Sequence, residues 1–332
     1  MSDKNLPWKN QKEAYRESLY YLKGRMDGQI RSLKTPWLKF NDATTDGLEW
    51  HSMTVIGGRP GAGKTLLKDQ IIREIFVLNP EEKFRVLEFQ LEMVGRTSAI
   101  RQYSSVIGKS YKYLCSAEGT LSNVDLKLCA EYAKQRANDP IDIVEEAPTV
   151  HEFVDIVTKY MNAHAEKNDE GRYVYVNTIV TLDHSLLLKK SSYEKDKMEV
   201  LYNFGEACTD LKRKFPIHFI ILSQLNRNID NPERAEEGKI GNYILTSDIM
   251  GADALLQHAD LVVGLNRPGL MRIRYYGPDR YIIEDDNILV MHFLKCRNGD
   301  TRMSFFRAQY DKMRIIETAT PAQQEKRINT YK

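Results

Sequence analysis

One segment of this 332-residue chain constrains its fold more than any other, the run Met53-Thr-Val-Ile-Gly-Gly-Arg-Pro-Gly-Ala-Gly-Lys-Thr-Leu-Leu67. A short β-rich stretch enters a glycine-rich loop that ends in Lys64 and Thr65, and a helical pattern follows at once. This order of strand, loop and helix is that of a phosphate-binding loop, or P-loop, in which backbone N–H groups and a helix N-terminus converge on phosphate oxygens. The sequence therefore predicts a site for a nucleoside triphosphate with Mg²⁺.

The residues of this loop have distinct predicted tasks. The Lys64 ammonium reaches the β- and γ-phosphates, and the Thr65 hydroxyl binds Mg²⁺. The glycines let the backbone curl so that its N–H groups point at phosphate. The residues predicted to contact the nucleotide are Gly58, Arg59, Pro60, Gly61, Ala62, Gly63, Lys64, Thr65 and Leu66.

Composition limits the class of protein. Apolar residues make up 42% of the chain and charged residues 28%, the proportions of an ordinary soluble protein, and the net charge of +2 neither requires nor excludes nucleic acid. The four cysteines form no Cys-x-x-Cys pair, which argues against zinc and disulfide frameworks. No apolar run approaches 18 residues and the N-terminus lacks a signal pattern, so we expect a cytoplasmic protein with no membrane partner.

Segments with strand and helix patterns alternate from residue 36 onwards. This alternation predicts an α/β fold with a mostly parallel twisted sheet flanked by helices, and the tail adds a β-rich C-terminal edge. The predicted strands are 53–57, 84–91, 141–145, 174–182, 217–223, 261–265, 288–295, 302–307 and 313–316; the predicted helices are 66–78, 94–107, 124–136, 149–165, 195–214 and 247–257; the predicted loops are 166–173, 189–197, 228–243 and 267–286.

The chain is expected to divide into a helical linker or extension at 1–35, an ATPase domain at 36–318 and a tail at 319–332. Residues 9–34 are polar and helix-compatible, with a narrow apolar stripe of Tyr15, Leu19, Leu22 and Met26. This helix either packs on its own domain or docks on a neighbouring subunit, and the sequence favours neither.

Carboxylates follow two of the predicted strands. Asp183 ends the apolar strand Thr178-Ile-Val-Thr-Leu, the position of the acid that holds Mg²⁺ in P-loop enzymes. Glu92 follows the strand that begins at Phe84 and points into the crevice where ligands bind, so we expect it to orient the attacking water. Glu88 competes for that role but lies in the middle of the strand.

Two further elements carry polar groups suited to phosphate. Gln224 ends the strand 217–223, where its amide could hydrogen-bond the γ-phosphate or the attacking water; a turn-forming polar residue is the alternative. Lys295 and Arg297 share one face of a strand that leads into an Asn-Gly turn. Two cations at a hairpin tip suit an anion on another subunit, but charge on a solvated edge strand explains them slightly better.

Together these segments resemble the RecA-fold motor domain of the DnaB-like hexameric replicative helicases of bacteria and phages, over roughly residues 30–318. The matching segments are Gly58-Arg-Pro-Gly-Ala-Gly-Lys-Thr65, Phe89-Gln-Leu-Glu-Met93, Leu222-Ser-Gln-Leu-Asn-Arg227, Ser247-Asp248 with Gln257-His-Ala-Asp260, and Lys295-Cys-Arg-Asn-Gly299. The resemblance implies Glu92 as catalytic base, Gln224 as γ-phosphate sensor and Arg101 near the nucleotide. It also implies that Lys295 and Arg297 act on the nucleotide of the adjacent subunit, which overturns the solvated-edge interpretation.

The resemblance implies an ATP- and Mg²⁺-dependent DNA helicase that assembles into a ring, with six as the family's number, and moves along single-stranded DNA. The implied partners are a primase, a helicase loader or a separate collar protein. About 35 residues precede the motor segment, so we expect the family's N-terminal collar to be absent or replaced by another chain. The acid Asp183 is followed by His184 where the family has Tyr. In the pore segment Met250 and Asp253 replace an Arg and a Gly that touch DNA. Lys189, Lys190, Lys195 and Lys197 form a basic loop that either compensates by binding DNA or is a charged, solvated loop, and the sequence favours neither.

Two other functions remain open. A RecA- or KaiC-like ATPase that binds DNA or partners without unwinding is favoured by Met250 and Asp253, but the Ser-Gln-Leu-Asn-Arg and Lys-x-Arg-Asn-Gly elements oppose it. A regulatory nucleotide-binding subunit is favoured by the short N-terminal segment, but the intact set of Lys64, Glu92, Asp183 and Arg297 opposes it.

Overall fold

A nine-stranded sheet organises the molecule. The computed structural model describes residues 8, 10–168, 171–226, 229, 231–234, 243–319 and 323. Their strands are β1 (Ser52–Gly58), β2 (Phe84–Phe89), β3 (Ile141–Val144), β4 (Glu166–Lys167), β5 (Tyr173–Val174), β6 (Asn177–Leu182), β7 (Ile217–Gln224), β8 (Leu261–Asn266), β9 (Tyr275–Tyr276), β10 (Tyr281–Ile282), β11 (Ile288–Cys296), β12 (Arg302–Gln309) and β13 (Arg314–Glu317). The sheet runs in the order β13-β12-β11-β8-β1-β7-β6-β2-β3.

Helices connect these strands and cover the sheet. They are α1 (Gln11–Met26), α2 (Leu38–Ala43), α3 (Lys64–Leu78), α4 (Gly95–Ile107), α5 (Tyr111–Cys115), α6 (Asn123–Arg136), α7 (Val150–Ala163), α8 (Lys197–Lys214) and α9 (Ala252–Leu256). The strands from β8 to β3 pair in parallel, whereas β11, β12 and β13 pair antiparallel at one edge. This arrangement confirms the predicted mostly parallel sheet with a β-rich C-terminal edge.

The central strands are buried on both faces, which is why they read as continuous apolar runs. Neighbouring residues of one strand enter opposite cores: Val55 and Ile221 pack with α7 and α8, while Ile56 and Ile220 pack with α2 and α3. This two-sided burial fixes the strand register, because a slip by one residue would exchange the two faces.

Some predicted elements were wrong in detail. The predicted strand 174–182 is divided, because β5 pairs with β4 in a separate ribbon and only β6 joins the main sheet. The predicted helix 247–257 is a short 3₁₀ turn at Thr246–Asp248 followed by α9. The predicted loops 166–173 and 267–286 contain two-stranded ribbons, and most of 228–243 lies outside the described residues.

The first helix is shorter than its sequence pattern and is largely exposed. It ends at Met26, where Asp27 and the left-handed Gly28 terminate the helical hydrogen bonds. Its only buried residue is Gly24, and the apolar stripe formed by Tyr15, Leu19, Leu22 and Met26 faces solvent. The interpretation that this stripe packs on its own domain is therefore wrong for this chain. Within the described residues, no helix is long and apolar enough to cross a membrane.

Candidate nucleotide-binding site

A cavity of about 690 Å³ lies at the carboxyl ends of the parallel strands. The ends of β1, β7, β6 and β2 meet there because parallel strands deliver their C-terminal residues to the same edge of the sheet. The residues that line it are Pro60, Gly61, Gly63, Lys64, Thr65, Leu66, Glu92, Met93, Thr97, Arg101, Tyr111, Asp183, His184, Gln224, Tyr310 and Met313.

The P-loop has the backbone geometry that its glycines predict. Gly61 and Gly63 adopt positive φ angles of 73° and 100°, where a side chain would be strained. The Lys64 Nζ donates hydrogen bonds across the loop, to the carbonyl oxygens of Gly58 at 2.7 Å and Arg59 at 3.1 Å. Burial lowers the pKa of Lys64 to about 8, against the opposing effect of Glu92. A phosphate beside this ammonium would offset the cost of burying its charge.

Asp183 lies directly after β6 and is buried beside the P-loop. Its carboxylate accepts hydrogen bonds from the backbone N–H groups of Leu91 at 2.9 Å and Glu92 at 3.4 Å. Burial raises the pKa of Asp183 although these N–H groups and Lys68 oppose the shift. Among the described residues, no group of three or more His, Cys, Asp or Glu side chains could hold a metal ion.

This donor set fits Mg²⁺ when it arrives with a nucleotide. Mg²⁺ takes one or two carboxylates and keeps its other positions for phosphate and water. The Thr65 hydroxyl and the Asp183 carboxylate are hard oxygen donors that line the same cavity. They would hold the ion only together with phosphate oxygens, and the bound ion would neutralise charge that develops on the transferred phosphoryl group.

The two candidate catalytic acids, Glu88 and Glu92, differ in their exposure to solvent. The strand ends at Phe89, so Glu92 lies in the loop three residues beyond it and not at the strand end as predicted; there it is exposed and lines the cavity. Glu88 is buried within the strand, with its carboxylate 3.2 Å from the Lys68 ammonium. An exposed carboxylate can reach a water molecule in the cavity, whereas Glu88 is committed to an ion pair.

Gln224 is the last residue of β7 and pairs in register with Gly58 of the P-loop. Its side-chain Nε2 lies 2.8 Å from Nε2 of His184, which follows Asp183 and lines the same cavity. In the sequence, His184 stands out only as a departure from a family pattern. A hydrogen bond to the imidazole limits the rotation of the Gln224 amide toward or away from the phosphate position.

The P-loop residues differ in how they lie relative to the cavity. The Arg59 guanidinium points away from the cavity and donates to the Ile229 carbonyl at 2.9 Å. Of the described P-loop residues, Gly58, Arg59 and Ala62 are absent from the cavity lining, and Ala62 is buried in the core. Arg101 of α4 lines the cavity, and its place near a bound nucleotide stays a prediction.

An aromatic wall on the other side of the P-loop was not predicted from the sequence. Tyr310, in the turn after β12, donates a hydrogen bond to the Ala62 carbonyl at 3.2 Å. The Arg267 guanidinium stacks 3.9 Å from the centre of its ring and donates to the Gly61 carbonyl at 3.1 Å. Burial raises the pKa of Tyr310 to about 12, with Arg267 opposing. No local pattern marks these residues, because 248 positions separate Tyr310 from the loop residue it touches.

Lys295 and Arg297 lie at the opposite edge of the sheet from this cavity. Cys296 pairs with Leu261, the first residue of β8, and the Arg297 N–H donates to the Asp260 carbonyl at 2.9 Å. The seven residues of β1 span about 20 Å between the two edges. Arg297 therefore cannot reach the nucleotide cavity of its own chain, and the chain brings together Lys64, Glu92 and Gln224 without it.

The segment that begins at Met250 lies against the end of β7, to which it is hydrogen-bonded. The Met250 N–H donates to the Gln224 carbonyl at 2.8 Å, and the Ser223 hydroxyl donates to the Met250 carbonyl at 3.1 Å. The sensor strand and this segment therefore share backbone hydrogen bonds. Arg227, the last residue of the sensor motif, lies outside the described residues.

A P-loop, a strand-end acid, an exposed glutamate and a strand-end glutamine around one cavity define a RecA-like P-loop ATPase domain. The family follows from comparison with known proteins. The model of the DnaB-like helicase C-terminal domain matches residues 33–315, and the chain belongs to this family.

The chain is similar to several replicative helicases. It is 26% identical to a probable replicative DNA helicase of Trieres chinensis over 259 residues, which are 78% of this chain and 51% of that protein. It is 25% identical to the replicative DNA helicase DnaB of Leifsonia xyli subsp. xyli over 276 residues, which are 83% of this chain and 54% of that protein. The chain thus spans about half the length of these relatives.

Solved structures agree on the fold. One solved ATPase domain superposes with a TM-score of 0.75 at 17% identity, over 94% of this chain and 100% of that domain. A DnaB-like replicative helicase, described with its interactions with primase, superposes with a TM-score of 0.73 at 18% identity over 94% of this chain and 68% of that chain. The predicted family and the predicted RecA-like fold are confirmed.

Proposed function

We propose that this chain is the motor domain of a ring-forming replicative DNA helicase, which hydrolyses ATP at subunit interfaces to move along single-stranded DNA. One observation supports this proposal above the others: phosphate-binding groups occupy one edge of the sheet, while Arg297 and Lys295 lie about 20 Å away at the other edge. Such a chain completes its catalytic set only when the two edges of neighbouring copies meet.

Within one subunit, the cavity supplies binding and water activation. Lys64 and the loop N–H groups hold the triphosphate, and Thr65 and Asp183 hold Mg²⁺. Glu92 orients the attacking water, and Gln224 senses the γ-phosphate. The wall formed by Tyr310 and Arg267 offers an aromatic face and a cation beside the P-loop, which suits the nucleoside portion of ATP.

Across the interface, Arg297 and Lys295 neutralise the charge of the transition state. A finger of this kind supplies about 10³–10⁵ in rate. The two cations are already ordered in the single chain: Arg297 contacts Asp260, and the Lys295 Nζ donates to the Leu256 carbonyl at 2.6 Å. Burial and the neighbouring Arg297 lower the pKa of Lys295.

The first helix supports assembly. Residues 1–35 act as a linker whose exposed apolar stripe, Tyr15, Leu19, Leu22 and Met26, docks on the neighbouring copy, while 36–318 form the motor. Exposing these four apolar side chains to water on a capped helix is unfavourable in free energy, and a neighbouring copy that covers them would remove this cost.

Single-stranded DNA is the proposed track. The loop after Asp183 carries Lys189, Lys190 and Lys195, together with Tyr193, whose surface is 92% exposed, and Lys197 begins α8 directly after it. The loop is ordered by Glu194, which is buried and accepts hydrogen bonds from the Ser191 N–H at 2.7 Å and from Asn203 at 3.2 Å. Lysines bind the phosphate backbone, and an exposed tyrosine can stack on a base.

Light scattering with ATPγS and Mg²⁺, with and without a single-stranded oligonucleotide, tests the assembly. A closed ring that retains the oligonucleotide is expected. An open-ended filament would favour a RecA-like ATPase, and a monomer that binds nucleotide without turnover would favour a regulatory subunit.

The trans role of Arg297 has its own test. Arg297→Ala is expected to lower the ATPase rate of the assembled protein by about 10³-fold while nucleotide binding stays unchanged, since the residue lies outside its own cavity. Full ATPase activity in the assembled variant would exclude the trans role.

The DNA-binding loop is tested by Tyr193→Ala, with Tyr173→Ala as a matched control. Tyr173 is also exposed and lies beside a lysine, but it belongs to the β4–β5 ribbon. We expect only Tyr193→Ala to weaken oligonucleotide binding, by about tenfold, as judged by fluorescence anisotropy. Equal affinity in the two variants would remove this loop from the DNA path.

A further inference from the structure

A second cavity, of about 600 Å³, lies where the parallel strands begin, at the opposite edge of the sheet from the nucleotide cavity and next to Arg297, which follows β11. Its lining includes Asp260, Lys212 and Arg297. Asp260 immediately precedes β8, so its position is set by the main sheet. The Asp260 N–H donates to the Met53 carbonyl at 2.8 Å, and this hydrogen bond joins Asp260 to the start of β1.

The Asp260 carboxylate is the centre of a three-way contact. Its Oδ2 accepts a hydrogen bond from the Met53 N–H at 2.9 Å and another from the Lys212 ammonium. Its Oδ1 lies 3.1 Å from Nη1 of Arg297. The Lys212 Nζ also donates to the His258 carbonyl at 3.0 Å, which fixes the lysine against the turn before β8.

The Asp260 side chain is largely buried, whereas the Arg297 side chain extends toward solvent. The Asp260 side chain is 14% exposed, whereas that of Arg297 is 57% exposed. The backbone adds a second tether, since the Arg297 N–H donates to the Asp260 carbonyl. The backbone of the arginine is therefore held at the sheet while more than half of its side-chain surface faces solvent.

The charges of the trio also favour this arrangement. A carboxylate alone would cancel the positive charge that a finger needs at the transition state. Lys212 supplies a second cation to the same carboxylate, so the three groups together keep a net charge of +1. Asp260 can thus orient Arg297 without removing the field that acts on an anion.

We infer that Asp260 is a positioning residue for Arg297: it holds the guanidinium, before assembly, in the direction from which it enters the nucleotide site of the neighbouring copy. This inference rests on the proposed trans role of Arg297. A preorganised finger loses less side-chain freedom when the interface closes, so more of its interaction acts on the transition state.

Asp260→Asn tests the inference in the assembled full-length chain. The substitution keeps the shape and an acceptor for Met53 but removes the charge that holds Arg297. We expect the ATPase kcat to fall about 10–10²-fold, while KM for ATP changes less than about twofold, because Asp260 lies far from its own nucleotide cavity. Asp210→Asn is the matched control, since Asp210 is an exposed carboxylate that lines the same cavity. It is expected to leave kcat unchanged.

A double-mutant cycle separates positioning from general damage. If Asp260 acts through Arg297, adding Asp260→Asn to Arg297→Ala changes the single-turnover rate less than about twofold, whereas independent effects would multiply. A further tenfold loss, to about a tenth of the rate of the single Arg297→Ala variant, would assign Asp260 a structural role and overturn the inference. Light scattering and nucleotide binding on each variant report whether the ring still forms.

The parallel single variants distinguish failure of the inference from failure of the proposed function. If Arg297→Ala retains full activity, the trans role itself is wrong. If Arg297→Ala is inactive but Asp260→Asn keeps wild-type kcat, the trans role stands and the positioning role of Asp260 is refuted.

Discussion

Lys68→Met is expected to lower the free energy of unfolding by about 3–5 kcal/mol. Lys68 lies on α3, one turn after Lys64, and its side chain is buried. Its ammonium is 2.9 Å from the Asp69 carboxylate and 3.2 Å from that of Glu88, and the Gln90 side chain donates to the other Glu88 oxygen at 2.9 Å. Burial alone would lower the pKa of Lys68, but the two carboxylates outweigh burial and raise it, so the lysine stays charged.

The magnitude follows from what the substitution leaves behind. Methionine fills a volume similar to that of lysine, so the substitution creates little cavity, and the loss of stability comes mainly from the lost charge. Asp69 and Glu88 remain buried, at 7% and 4% exposure, without the cation that balances them. Removing one partner of a buried ion pair costs about 3–5 kcal/mol. Total stabilities of domains are about 5–15 kcal/mol, so this loss is a large fraction of the whole.

Chemical denaturation at neutral pH measures this loss, with tryptophan fluorescence and circular dichroism as parallel probes. Lys83→Met is the matched control, because the Lys83 ammonium also contacts a carboxylate, that of Glu166 at 2.6 Å, but its side chain is 74% exposed. An exposed pair contributes about 0–1 kcal/mol, so the control is expected to stay near wild type.

A second substitution is expected to rescue the first. Adding Glu88→Gln to Lys68→Met removes one of the two stranded charges, and we expect the double variant to regain at least about half of the lost stability. A Lys68→Met loss no larger than that of Lys83→Met, or a double variant less stable than Lys68→Met, would refute the charge-balance argument.

Three further predictions concern titration and the sensor. Because burial lowers the pKa of Lys64 from 10.5 to about 8, its ammonium loses its proton above pH 8, and we expect ATP affinity to fall there by up to about tenfold per pH unit. Calorimetric titration of Lys64→Arg with ATP should show no such pH dependence of affinity, since a guanidinium stays charged. Burial lowers the pKa of His218 from 6.5 to about 4, so between pH 6.5 and pH 4 the unfolded state binds a proton that the folded state does not. The contribution of His218 to the free energy of unfolding is therefore full above pH 6.5 and falls by up to about 1.4 kcal/mol per pH unit toward pH 4. Chemical denaturation of His218→Gln should show a weaker dependence of stability on pH in this range. His184→Phe removes the hydrogen-bond partner of Gln224 and is expected to lower kcat about tenfold with little change in KM for ATP in steady-state assays, whereas an unchanged kcat would show that the sensor does not depend on it.

The two-edged arrangement separates Arg297 from the nucleotide cavity of its own chain. Lys64, Asp183 and Gln224 converge because β1, β6 and β7 are parallel neighbours and end at one edge. Arg297 comes from an antiparallel strand, and an antiparallel strand ends at the other edge. The direction of one strand therefore separates the groups that bind the nucleotide from the cation proposed to act on it.

The local sequence was sufficient for the central sheet and for the groups at its carboxyl edge. Doubly buried strands read as apolar runs, and the residue after such a run lies at the strand end, which is how Asp183 and Gln224 could be located. The P-loop needed no more than its own glycines and the helix after it, because its geometry is local in the chain.

Side-chain direction and distant pairing were decided only by the tertiary structure. Arg59 lies in the P-loop motif yet turns away to Ile229, and Tyr310 joins the site from the far end of the chain. The anchoring of Arg297 by Asp260 likewise depends on β8 and β11 lying side by side. Such contacts join residues remote in sequence, and packing selects among rotamers that the local backbone allows equally, so no pattern of neighbouring residues encodes them.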